Sequence, residues 1–204
     1  MSLRRISLFA VLIVLMFTLC GCSSGTNQES GSLQLAIASM YVPDGLADSL
    51  ETGLKAEKPE LYFEERGVVI NAISTGDSEK DPEMAMAGMT KIMAMMTSGE
   101  IELFICDSEN ARRFAESGEN YIPISDLYSE EEITALNLQT VSVPVFDEDG
   151  NETGEMSTPC GIDLSTCTLL TENMYRSDMA AYVFVNSTNV DQAKAVIEYL
   201  AAAR

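Results

Sequence analysis

Four short apolar runs punctuate the chain, and helical spacings fill the intervals between them. Leu33 to Met40 (LQLAIASM), Val68 to Ser74, Ile101 to Cys106 and Ala180 to Val185 (AAYVFV) are short and nearly continuous in apolar residues, which predicts buried strands. Leu46, Leu50 and Leu54 recur every fourth residue and predict a helix that runs to Lys58, where Pro59 stops it. Asp81-Pro82-Glu83 opens a methionine-rich helix and Gly99 closes it, because Asp suits the N-cap, Pro the first turn and Gly the exit. At 100° per residue, Ala85, Met86, Met89, Ile92, Met93 and Met96 fall within about 120°, a single core-facing stripe, with Met84 and Met95 off it. Ala111, Phe114 and Ala115 mark one side of a further helix ended by Gly118, with Arg112 and Arg113 on the other side. Tyr121 to Ile124 reads as extended chain. Ser129 and Glu132 form a capping box before Ile133, Leu136 and Leu138. After Thr188 and Asn189, Ala193, Val196, Ile197 and Leu200 recur at i, i+3, i+4 and i+7.

The order strand, helix, strand across Val68 to Asp107 is what a right-handed parallel crossover requires. Alternation of this kind predicts an α/β fold: an open, mostly parallel sheet with helices on both faces. One insertion departs from it. Thr140 to Phe146 and Glu155 to Asp163 flank Asp147-Glu148-Asp149-Gly150-Asn151, and Asp-Gly between strand-like segments signals a β-hairpin. The acidic turn does not fit a calcium loop: with Asp147 first, Glu152 stands where Gly is needed and Thr158 where Glu is needed.

The front of the chain is of another kind. Arg4 and Arg5 precede the apolar run Ile6 to Leu19, which is short for a membrane span of ~20 residues and suits a secretory signal. Leu19-Cys20-Gly21-Cys22 resembles the lipobox of bacterial lipoproteins, which implies cleavage after Gly21 and a lipid on Cys22. Residues 1–21 are thus expected to be a signal peptide and 22–32 a flexible tether, since Ser23 to Ser32 lacks any apolar residue. Residues 33–204 are expected to form one α/β domain. The expected location is the extracytoplasmic face of the cell membrane, held by the lipid.

Charge and composition narrow the chemistry. The chain carries 12 basic residues against 32 acidic ones, net −20, and loss of Arg4 and Arg5 would take it to −22. Such a field disfavours nucleic acid and anionic headgroups as partners. Histidine is absent, which removes imidazole bases and His-ligated metals. No Gly-x-Ser-x-Gly or Walker phrase occurs. Behind the lipobox stand Cys106, Cys160 and Cys167. They read as small buried residues, the alternative being a Cys160–Cys167 bridge. The methionines read as core, although thioethers can take Cu(I). The expectation is no catalytic residue, no metal and no cofactor.

With these residues in place, the chain resembles the bacterial extracellular solute-binding proteins that feed ABC transporters. The likeness runs through AEKPEL, TSGE followed by IELFICD, SGENYIPISDLYSEEE and the closing AAYVFVNSTNVDQAKAVIEYL. It implies a periplasmic-binding-protein-like fold of the second type, capture of a small solute and a permease as partner. Where the family builds a second lobe, this chain has only the hairpin, which implies a single lobe. In an open parallel sheet, ligands sit beyond the carboxyl ends of strands. The residues there are Ser39, Tyr41, Ser74, Thr75, Asp77, Asp107 and Ser108, with Asp163, Ser165 and Thr166 close by. Ser39, Ser74 and Thr75 fall where the family's oxyanion binders offer hydroxyls; as plain caps and turns, the same residues need no ligand. The alternative function is a protein–protein interaction module at the cell surface, using the hairpin with Met84 and Met95.

Overall fold

Strand β1 (Ser32–Ser39) lies in the middle of the parallel half of the sheet, paired with β2 (Gly67–Ser74) on one side and β3 (Leu103–Asp107) on the other. The computed structural model describes residues 31–203 apart from Glu65, Asn173, Tyr175 and the side chain of Ser117. The expected signal peptide, Cys22 and nearly all of the tether lie outside the described residues. Ser32 already belongs to β1.

Helix α1 (Leu46–Glu57) joins β1 to β2 and buries Leu46, Leu50 and Leu54, as the four-residue spacing predicts. A 3-10 turn at Pro59–Tyr62 follows it. Helix α2 (Pro82–Ser98) joins β2 to β3; Asp81 caps it by accepting from the Met84 N–H at 3.0 Å, and Gly99 ends it in the left-handed region. Then come α3 (Ser108–Phe114), the single turn α4 (Ile124–Leu127) and α5 (Glu130–Ala135), whose Ser129–Glu132 capping box is formed.

The second half of the sheet differs from expectation. Strands β4 (Thr140–Val141), β7 (Gly161–Asp163) and β8 (Met179–Val183) extend it in the order β2-β1-β3-β8-β7-β4. The β3–β8, β8–β7 and β7–β4 pairings are all antiparallel, so the sheet is mixed and not mostly parallel. The reason is the path of the chain. Asp107 ends β3 directly opposite Met179, which begins β8, so the chain leaves β3 and enters β8 at the same rim, having laid β4 and β7 along the outer side of β8 in between. No crossover spans the sheet there, and the returning strand must run the other way. The hairpin is β5 (Pro144–Phe146) with β6 (Glu152–Met156), a separate two-stranded sheet; its legs, β4 and β7, are part of the main sheet. Helix α6 (Thr168–Thr171) precedes β8, and α7 (Val190–Ala202) closes the chain.

Side-chain alternation along β1 sorts the core. Leu33, Leu35 and Ile37 meet Leu50 and Leu54 of α1 and Val196, Ile197 and Leu200 of α7. Ala36 and Ala38 face the opposite layer, with Ile73, Ile92, Phe104 and Phe114 beneath α2 and α3. Helices therefore cover both faces. The stripe of α2 is rotated from the expected one. Ala85, Gly88, Ile92 and Met95 are buried, whereas Met86 is 73% and Met93 57% exposed. Met95, expected off the stripe, is 7% exposed. Gly88 explains the rotation: a Cβ there would stand 2.3 Å from the Ser74 carbonyl oxygen, so only glycine lets the helix lie directly on the end of β2. A hydrophobicity stripe cannot register glycine as a contact residue.

At the opposite rim, Glu102 is almost fully buried and accepts from the Gln34 N–H (3.0 Å), the Thr188 N–H (2.8 Å), the Thr188 hydroxyl (2.9 Å) and the Asn189 amide. Burial pushes this carboxyl up, but the donors from Asn189, Thr188 and Gln34 outweigh it and hold the group below its ordinary 4.5. Asn189 stands at the N-cap of α7 yet makes no capping bond, since its side chain serves Glu102. The thiols of Cys106, Cys160 and Cys167 are free and buried. Among the described residues, no helix is long and apolar enough to cross a membrane.

Candidate functional site

Parallel register brings three strand ends level. Ser39 lies opposite Ser74, and Asp107 follows Cys106, which pairs with Ala38. The Ser39 hydroxyl donates to Asp107 Oδ2 at 2.8 Å. Asp107 is 1% exposed and N-caps α3, its Oδ1 accepting from the Asn110 N–H (2.9 Å) and from Asn110 Nδ2 (3.0 Å). Asn110 Nδ2 also donates to Thr75 Oγ1 at 3.3 Å. Ser39, Asp107, Asn110 and Thr75 thus form one buried chain of hydrogen bonds across the rim, of the kind that holds strand ends in one arrangement.

Above this chain opens a cleft of about 220 Å³. One wall is the loop that leaves β2, from Thr75 to Glu79; the other is the end of β3 with Glu109, Asn110 and Arg113 of α3. Gly76 is in the left-handed region (φ 63°), and a Cβ on it would approach the Ala85 nitrogen to 2.8 Å, so glycine lets this wall fold down onto α2. Asp77 holds the loop by accepting from the Glu79 N–H (2.9 Å) and the Lys80 N–H (3.3 Å), with the Lys80 ammonium at 2.9 Å. The Lys80 side chain and these N–H groups lower its carboxyl. Arg113 pairs with Glu109 at 2.9 Å, and its guanidinium also reaches the Met89 sulfur.

One residue of this wall carries a buried, unsatisfied atom. Asn110 is 2% exposed, and its Oδ1 has no hydrogen-bond partner among the described residues. The amide is not free to turn round, because a flip would set its oxygen against the Asp107 carboxylate.

The residues expected at the rim divide in two. Thr75, Asp77 and Asp107 line the cleft. Ser39 lies beneath it, bonded to Asp107. Ser74 Oγ accepts from the Val42 N–H at 3.0 Å and pins the turn after β1. Tyr41 is 53% exposed and is not part of the walls. Ser108 donates through its hydroxyl to Asp178, which also pairs with Arg176 at 2.7 Å; the guanidinium and the hydroxyl hold that carboxyl far below the usual range. Asp163 at the end of β7 accepts from Ser165 and serves a turn. Sequence reasoning missed Asn110, Glu109 and Arg113. The signal for Asn110 was its place three residues after the cap Asp107, inside a first turn. Cys106 is wholly buried, and that burial and then Asp107 push its thiol up.

A second, wider depression of about 470 Å³ lies between α3 and the hairpin. There Arg112 stands 5.3 Å over the Phe146 ring and pairs with Glu152, tying the hairpin to the helix. No group of His, Cys, Asp or Glu suited to a metal occurs among the described residues. No family model matches the chain, and no curated protein and no solved structure matches it.

Proposed function

We propose that the chain is a single binding lobe that captures a small solute without catalysis. It works at the outer face of a membrane, held through a lipid on Cys22 in the manner of the solute-binding proteins it resembles. The observation that carries this reading is the cleft of about 220 Å³ at the level ends of β1, β2 and β3, walled by Thr75, Asp77, Glu109 and Arg113. A permease is the partner this reading implies, and duplex nucleic acid is excluded from it by the net charge of −20.

Two measurements test it. Thermal unfolding of the full chain in mild detergent, against pools of sugars, amino acids, peptides and oxyanions, should give a saturable rise for at least one pool; a flat response to all of them removes solute binding. Cys22→Ser should move the chain from the membrane to the soluble fraction after cell disruption. Unchanged membrane association would remove the lipid anchor.

A second reading, an interaction module, is favoured by the exposed Met84, Met86 and Met93 of α2 and by the exposed Val69 of edge strand β2. Light scattering of the full chain over a range of concentrations separates the two, since a constant monomer mass counts against self-association.

A further inference from the structure

One edge of the main sheet is open. Strand β2 ends the order β2-β1-β3-β8-β7-β4, so among the described residues only β1 pairs with it. Alternate residues of such a strand turn their N–H and C=O groups outward. Among the described residues, no backbone hydrogen bond beyond the β1 ladder reaches residues 68–74. The strand also lacks the devices that keep edges from pairing. All eight residues, GVVINAIS, register with β1 without a bulge, and none is charged or proline. The opposite edge, β4, is only two residues long. Only Val68 and Ile73 of β2 are buried, whereas in β1 every residue except Gln34 is. Val69 is 43% exposed, and by alternation it shares the sheet face of Ile73, on the side of α2.

Charge decides what fits this edge. Beyond Ser74, the four acids Asp77, Glu79, Asp81 and Glu83 stand against one base, Lys80, a surplus of three. Before Gly67, the three acids Glu60, Glu64 and Glu65 stand against Lys58 and Arg66, a surplus of one. Two copies paired antiparallel through β2 would set these ends acid to acid, with each chain at −20. A strand with basic ends meets the opposite field.

Resting on the interaction reading above and independent of the cleft, we propose that β2 is the docking edge for an extended segment of a partner protein. That segment is apolar at its centre and carries lysine or arginine at its ends. It adds a strand to the sheet by pairing with the outward N–H and C=O groups of β2. An apolar side chain of the segment covers Val69, its basic ends meet the carboxylates, and the net charge of the chain speeds the encounter.

The test is fluorescence anisotropy of labelled peptides with the full chain in mild detergent, joined to hydrogen exchange over residues 67–74. One peptide has Thr-Val-Thr-Val-Thr between pairs of lysines. A second has glutamates in place of the lysines. A third keeps the lysines but is N-methylated throughout its centre, so it has the charge without the N–H donors. The first should bind saturably, more weakly as salt rises, and should slow exchange in β2; the other two should do neither. Val69→Lys puts a like charge on the open edge and should weaken the lysine peptide by about two- to fivefold. Unchanged affinity in that variant, equal binding of the methylated peptide, or binding that leaves exchange in β2 unaltered would overturn the docking edge. Self-association of the chain with β2 protected would overturn the basic partner in favour of a second copy, and the interaction reading would stand. A constant monomer mass with no peptide bound removes both.

Discussion

Asp107 answers to three donors at once, and a stability measurement can isolate that role. Asp107→Ala removes the cap of α3 and strands the Ser39 hydroxyl and the Asn110 amide in a buried layer. With roughly 1 kcal/mol for the cap and 1–3 kcal/mol for each stranded group, denaturant unfolding should register a loss of about 3 kcal/mol or more. Glu102 makes a different prediction, in pH. Its folded-state carboxyl lies below the ordinary 4.5, so its contribution is complete above that value and is lost as pH falls through the lower folded value. Glu102→Gln should therefore flatten the part of the acid-unfolding curve that lies below about pH 4.5. An unaltered acid limb would assign that slope to other carboxylates. Neither residue announces its full role in the sequence. Asp107 was legible as the last residue of an apolar run, but its reach to Ser39 comes from β1–β3 register, which hydrophobic periodicity does not encode. Glu102, the charge that precedes LFIC, reads as a strand-entry residue until Thr188 and Asn189 are brought to it from far along the chain.

Helix α2 shows what a pattern of apolar residues can and cannot decide. Its limits were legible because Asp81, Pro82 and Gly99 each solve a local backbone problem. Its inward face was not, because the helix is rich in methionine nearly all round and the closest contact with the sheet is made by a glycine. Two substitutions measure this. Gly88→Ala improves helix propensity by roughly 0.5–1 kcal/mol, yet its new methyl would overlap the Ser74 carbonyl; overpacking of that kind costs typically 1–3 kcal/mol, so the variant should melt lower. Ile92→Ala should cost about 2–5 kcal/mol, whereas Met86→Gln and Met93→Gln should change the midpoint of denaturant unfolding little. A large loss from either glutamine variant would mean that their side of the helix is covered in solution.

At the scale of the whole molecule, the crossover β1–α1–β2–α2–β3 was legible because each strand is an apolar run and each crossover a helical spacing closed by Pro59 or Gly99. The direction of β8 was not. AAYVFV reports burial on both faces, and burial is silent on which way a strand runs. Direction was set by where residues 108–178 return, and their return is secured by Ser108, Arg176 and Asp178 meeting at the rim. Both feet of this excursion stand side by side at the end of the sheet that carries the cleft, while the opposite end holds Glu102. Material added between those feet, at the exposed turn Asp147–Asn151 for instance, would lengthen a side branch without rethreading any strand of the main sheet. A graft at that turn would hang beyond the hairpin and leave the Glu102 rim untouched, which makes it the natural seam for adding a second lobe to this sheet.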